Sequence, residues 1–295
     1  MIDDKIYKAV CELNGPSVTT PIPTSDRVDY YEKPVVVDQL KNEPIVSKRQ
    51  VLSTYILDLA VTANGDIVVT GGTTTKIYAS DYSLIKDIGQ TFWYVTVTSE
   101  DQLVFTDGSS IIYFYTSDGS PIRNITASGS HLQLNGITSL STGQLVVCDR
   151  NTDRVYTIDQ STGDTAPISA SGTFESPLFV TANSKGVIVV SDLHEDAIKG
   201  VDQASNVLFS YGTLVSGEEQ LNNPRGVDTD AMDFIVAADS ANNRVLLLTP
   251  DGMLNRYLLT ANDGLYSPWA VWINKDGQLL VGDANGQLFA ITYRE

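Results

Sequence analysis

Asn223-Pro224-Arg225-Gly226-Val227-Asp228-Thr229-Asp230, Phe234-Ile235-Val236-Ala237-Ala238-Asp239, Arg244-Val245-Leu246-Leu247-Leu248 and Leu254 to Leu259 follow one another, with a Pro250-Asp251-Gly252 turn before the last run. Each run is short, apolar and rich in β-formers, and each is bounded by Asp, Asn, Gly or Pro. This is the pattern of antiparallel strands joined by tight turns. A single four-stranded sheet of this kind cannot bury both of its faces.

The unit is one of a series. An aliphatic run ends at Gly71, Asp107, Asp149, Asp192, Asp239 and Asp283, at steps of 36, 42, 43, 47 and 44 residues. That spacing suits propeller blades and is too long for most solenoids. Six sheets closed in a ring pack each face on a neighbour and leave no long free edge. Helical periodicity is nearly absent. The expected fold is therefore all-β, a six-bladed β-propeller of four-stranded antiparallel blades.

The ends of the series predict how the ring closes. The sixth repeat supplies Pro268 to Ile273, Gln278 to Gly282 and Gln287 to Tyr293, and its fourth strand is missing. Ile45 to Leu52 reads as a strand without a blade, and is expected to become the outer strand of the last blade. Residues 1–44, with Gly15-Pro16, Pro21-Ile22-Pro23 and Lys33-Pro34, read as an extended linker or tail, partly packed on a propeller formed by residues 45–295.

Composition narrows the function classes. The chain has 295 residues and a formal net charge of −17. Residues 51–295 hold 12 Lys and Arg against 28 Asp and Glu, so the acidity belongs to the propeller. Nucleic-acid affinity rests on phosphate neutralisation, which this balance disfavours. No stretch has the length of a membrane span, and Met1-Ile2-Asp3-Asp4-Lys5 lacks the basic and apolar regions of a secretory signal. The expectation is a cytoplasmic protein, with no membrane contact and a monomeric propeller. Two cysteines, Cys11 and Cys148, are too few for a disulfide scaffold. Cys148 lies in a core strand and is expected to be a buried thiol.

Asn223-Pro224-Arg225-Gly226-Val227 with Asp239-Ser240-Ala241-Asn242-Asn243-Arg244-Val245 resembles an NHL repeat. Leu134-Asn135-Gly136-Ile137 with Asp149-Arg150-Asn151-Thr152-Asp153-Arg154-Val155 is similar. The other repeats depart from it: Gly71 replaces the Asp, Tyr94 stands where Gly is expected, and Ala197 takes the Arg position. Six such repeats resemble the C-terminal propeller of animal tripartite-motif (TRIM) ubiquitin ligases. The resemblance implies a non-catalytic module that recognises a protein or peptide for a ligase. RNA binding by the same surface is the alternative, and a calcium-dependent lactonase-like hydrolase is a second alternative.

Aligning the repeats on Gly65, Asp101, Gly143, Gly186, Asp233 and Gly277 places Leu57, Trp93, Asn135, Leu178, Arg225 and Trp269 at the start of the six innermost strands. This ring, with Arg150 beside it, is the expected binding site, since aromatic and Arg side chains dominate binding energy. The tryptophans could instead fill the space between blades. Asp149/Arg154 and Asp239/Arg244 share a spacing of five residues. They read as turn-tying aspartates with the Arg bridging to the next blade, or as exposed cations. His131 and His194 are too few for a catalytic zinc site. Asn135 and Asp58, even with Glu175 and Asn223 nearby, offer few oxygens for calcium. No catalytic residue, metal ligand or cofactor is therefore expected.

Overall fold

The computed structural model describes residues 39–212 and 220–295. The readings made above for Cys11 and for residues 1–38 lie outside that set. Strand β1 (Leu40–Gln50) comes first. Blade 1 is β2 (Asp58–Val61), β3 (Ile67–Gly71), β4 (Thr74–Tyr78) and β5 (Leu84–Asp87). Blade 2 is β6 (Tyr94–Val97), β7 (Leu103–Thr106), β8 (Ile111–Tyr115) and β9 (Pro121–Thr126). Blade 3 is β10 (Leu134–Ser139), β11 (Leu145–Asp149), β12 (Arg154–Ile158) and β13 (Thr165–Pro167). Blade 4 is β14 (Pro177–Ala182), β15 (Ile188–Asp192), β16 (Ala197–Val201) and β17 (Val207–Tyr211). Blade 5 is β18 (Pro224–Thr229), β19 (Ile235–Asp239), β20 (Arg244–Leu248) and β21 (Leu254–Leu259). Blade 6 takes β22 (Pro268–Ile273), β23 (Leu279–Asp283) and β24 (Gln287–Arg294).

All six sheets are four-stranded and antiparallel, and the sixth has the order β1-β24-β23-β22. The fold is a six-bladed β-propeller. Its last blade is closed by the strand that precedes the first. In β1, Ile45 pairs with Thr292 and Gln50 with Gln287. The strand begins at Leu40, earlier than its apolar pattern suggested. As an outer edge it is mostly exposed, so its first half needs no hydrophobic face.

Each blade turns from its first to its second strand through the same geometry. Gly65, Asp101, Gly143, Gly186, Asp233 and Gly277 all have positive φ, from 58° to 88°. In each turn the residue's N–H donates to the carbonyl three residues earlier, as Gly65 does to Thr62 and Gly277 to Asn274. Glycine adopts this region freely, whereas an L side chain costs about 1 kcal/mol or more. The two aspartates offset that cost with blade-to-blade bonds. Asp101 Oδ1 accepts from Ala63 N at 2.7 Å, and Asp233 Oδ1 accepts from Ser184 N at 2.9 Å.

The second strands are the core. Every residue of β3, β7, β11, β15, β19 and β23 is buried. Cys148, in β11, is wholly buried, and burial holds its thiol well above the usual range. The acidic residue that ends a second strand ties down the link from the preceding blade. Asp149 Oδ1 accepts from Gln133 N, Asp192 Oδ1 from Ser176 N, and Asp239 Oδ1 from Asn222 N.

The Asp–Arg pairs divide. Asp239 Oδ2 accepts from Arg244 Nε at 2.6 Å, and Arg244 Nη1 donates to Tyr257 Oη of the same blade. Asp149 spends its carboxylate on Gln133 N, Asn151 N and the Thr152 hydroxyl, with no ion pair to Arg154. The expected bridge to the next blade is corrected among the described residues: Arg244 bonds to Asp239 and Tyr257 of blade 5 and to Gln220 O of the link before it.

Candidate functional site

The strand directions give the ring two unlike faces. The upper face carries the turns between second and third strands and the links from blade to blade. The lower face carries the turns between first and second strands. The first strands line the axis, and the six residues singled out above all sit where those strands start, at the upper mouth.

Their side chains have different fates. Leu178 and Asn135 are buried, at 4% and 2% exposure. Leu57, Arg225 and Trp269 are half-buried, and Arg150 is exposed. Trp93 is 40% exposed. It does not fill the space between blades. Its indole lies over Gly108 of its own blade, where a Cβ on that left-handed glycine would come within 2.5 Å of the ring.

Arg225, Trp269 and Tyr55 form a stack contributed by blades 5 and 6 and by the segment before blade 1. The Arg225 guanidinium lies 4.1 Å from the centre of the Trp269 ring. The Tyr55 and Trp269 rings are 4.7 Å apart and tilted by 44°. Trp269 Nε1 donates to Ser267 Oγ at 3.1 Å, which fixes the indole. Gly226 permits this closeness, since a Cβ there would stand 2.8 Å from Trp269 O and Val271 N.

One position further along the first strands, blade 3 has Gly136 and blade 5 has Gly226, while blades 2 and 4 have Tyr94 and Phe179. The two rings meet edge-to-face at 5.0 Å and 83°, spanning blade 3. Gly136 leaves them room, because a Cβ there would sit 2.6 Å from Phe179 Cα. The Tyr94 departure from the repeat thus places a ring at the mouth that packs on Phe179. The side chain is 3% exposed and its hydroxyl bonds to no other described residue. Burial pushes this phenol above its ordinary range, and the cations of Arg225 and Arg150 oppose the shift.

Two donors at this mouth have no acceptor. Asn135 Nδ2 and Arg225 Nε are both buried and without a hydrogen-bond partner. Burial also lowers the proton affinity of Arg225, with Arg150 adding to the effect and Tyr94 opposing it.

Further along the axis, Asp58, Thr181, Asp228 and Trp272 line a cavity of about 60 Å³ together with Phe179. Asp58 Oδ2 accepts from Val95 N at 3.0 Å, and Asp228 Oδ2 from Ile273 N at 2.7 Å, so each clasps the next blade. Burial pushes their carboxyls up to about 8 and about 6 respectively, against the pull of these backbone donors. The sequence reading placed Asp58 near the mouth and passed over Asp228. A polar residue within an apolar first-strand run was the available signal. Among the described residues, no three His, Cys, Asp or Glu side chains are grouped to hold a metal ion. His131 and His194 are both exposed.

No family model and no curated relative matches the sequence. Solved structures match the fold. A catalytically inactive His-to-Ala variant of virginiamycin B lyase from Staphylococcus aureus, with quinupristin, superposes with a TM-score of 0.62 at 12% identity, covering 85% of this chain and 99% of that one. A gluconolactonase-like protein gives 0.64 at 15% identity, covering 84% and 92%. An auxiliary nutrient binding protein from Bacteroides thetaiotaomicron gives 0.65 at 14%, covering 86% and 78%.

These neighbours overturn the non-catalytic ligase-module reading. They are enzyme-related and nutrient-binding propellers, and none is described as a tripartite-motif or ubiquitin-ligase protein. The expectation that the chain is not an enzyme is corrected with it. Its argument rested on too few zinc or calcium ligands, and propellers of this shape include a lyase.

Proposed function

We propose that this propeller recognises a small molecule at its upper mouth, with Asn135 as the buried polar anchor. The observation that carries the reading is the Asn135 amide. It is 2% exposed and its Nδ2 has no partner. A buried donor left unsatisfied costs about 1–3 kcal/mol, which a ligand acceptor at the mouth would offset. The Trp269–Tyr55 pair and the open indole of Trp93 supply apolar walls of the kind small-molecule sites use. The likeness to a lyase bound to quinupristin and to a nutrient binding protein agrees with a fold that presents small molecules.

The test is a thermal-shift and NMR screen of neutral sugars, nucleosides, amino acids and aromatic alcohols and acids, run in parallel on Asn135→Ala. A compound that stabilises the native chain and loses that effect in the variant supports the reading. Binding unaltered by Asn135→Ala and by Arg225→Gln would place the site elsewhere and end it.

A further inference from the structure

We infer that the bound molecule presents an anionic oxygen group, a carboxylate or a phosphate, to Arg225. This rests on the small-molecule reading and adds the ligand's charge to it.

The first argument is a contrast among cations. Lys199 meets Asp192 at 2.9 Å, Arg244 meets Asp239 at 2.6 Å, and Arg294 meets Asp230. Arg256 donates to the carbonyls of Lys41 and Tyr293. Arg225 is half-buried, yet it makes no hydrogen bond or ion pair with any described residue. Removing a cation from water without a counter-charge is costly.

Scarcity of acids does not explain why Arg225 has no carboxylate partner. The chain carries 36 Asp and Glu against 19 Lys and Arg. Arg154 is also half-buried and unpaired among the described residues, but only Arg225 of the two has a buried Nε without a partner. In a chain this acidic, that buried donor kept clear of carboxylates bears on what belongs beside it.

The surroundings agree. The Arg225 guanidinium lies over the Trp269 ring, 4.1 Å from its centre, and its Nε has no hydrogen-bond partner. The charged or polar groups that act on it electrostatically are the Tyr94 phenol and the Arg150 cation. Asn135 Nδ2, at the equivalent place on the first strand of blade 3, is a second donor without a partner. A planar guanidinium fork matches carboxylate and phosphate oxygens in pairs, and such charge-assisted bonds are the strong ones.

The experiment compares three probes of similar body: benzyl alcohol, benzoate and phenyl phosphate. Each is titrated into the full chain by calorimetry and by NMR of the arginine Nε–H signals. The expected result is that at least one charged probe binds about tenfold or more tightly than benzyl alcohol, the gain typical of a hydrogen bond to a charged group. The Arg225 Nε–H signal shifts with it. Arg225→Gln should bring the charged and neutral probes to within about twofold, while Arg225→Lys retains part of the preference. The ranking of benzoate against phenyl phosphate tells which anion is preferred.

Equal binding of benzyl alcohol and both anions, or an anion preference that survives in folded Arg225→Gln, overturns the inference. If neutral compounds bind in a manner lost in Asn135→Ala, the small-molecule reading stands and the anionic group falls. If no probe binds the native chain, the anionic inference falls on its own. The small-molecule reading then falls only if the wider screen is also empty.

Discussion

The two ends of the axis are built from the same repeat and reach opposite hydrogen-bond states. At the lower face, Asp230 accepts from Met232 N, Phe234 N, the Tyr293 hydroxyl and the Arg294 guanidinium. Asp233 holds both the amide and the hydroxyl of Ser184, and Lys275 Nζ donates to Ala63 O. At the upper mouth, Asn135 and Arg225 hold buried donors without acceptors. The charged groups of the lower face are spent on the chain's own partners, whereas Arg225 and Asn135 at the mouth keep donors that the chain does not satisfy.

The comparison predicts opposite responses to mutation. The largest effect belongs to Asp230→Ala, which removes the ion pair with Arg294 and the acceptor of the Tyr293 hydroxyl between blades 5 and 6. A loss of about 3–5 kcal/mol in urea-unfolding stability is expected. A loss below about 1 kcal/mol would show that the lower face is not the clamp it resembles.

The channel between the faces should respond to pH. The Asp58 carboxyl is pushed from 3.8 up to about 8, so between those values the folded chain holds a proton that the unfolded chain has released. Stability contributed by the neutral form is present at low pH and is lost as pH rises from about 4 to about 8. Asp228, raised to about 6, adds to the lower part of that window. Urea midpoints at pH 5, 7 and 9 should fall in the native chain and fall less in Asp58→Ala. An unchanged slope in the variant would remove Asp58 as the cause.

A smaller effect is expected for Asp233→Gly. Glycine keeps the left-handed turn, as it does at Gly186, but loses the two bonds to Ser184. The expected cost is about 1–2 kcal/mol in melting experiments, with ligand binding at the mouth untouched. Smallest of all is Asn135→Ala. Removing an unpaired buried amide should leave stability within about 1 kcal/mol of the native value, or raise it. A larger loss would mean that Asn135 is structural and that the two faces are alike.

The blades were legible because turn chemistry and apolar runs repeat in step. The six residues used to align the repeats all adopt the left-handed conformation, including both aspartates. The early start of β1 was not legible, because an outer edge strand makes no demand for alternating apolar residues. The positions around the mouth followed from superposing repeats, but their chemistry did not. That Asn135 and Arg225 lack partners is a property of what six blades bring together, and no single repeat records it. Tyr94 read as a lost glycine. Its reach toward Phe179 depends on the neighbouring blade having Gly136 in the same place. Trp93 read as either a contact or a filler, and only the position of Gly108 beneath it decided where the indole rests.

The pairing of β1 with β24 ties Gln50 to Gln287 and Ile45 to Thr292. Such remote partners make the final seal slow, since the entropy of joining distant segments must be met before their bonds form. During synthesis the early blades can stack as the polypeptide emerges, while the seam waits for its last-made half. Over that interval β1 has an unpaired edge toward its future partner, open to the corresponding segment of another nascent copy. Exchange of β1 between two chains is therefore the misassembly this architecture invites.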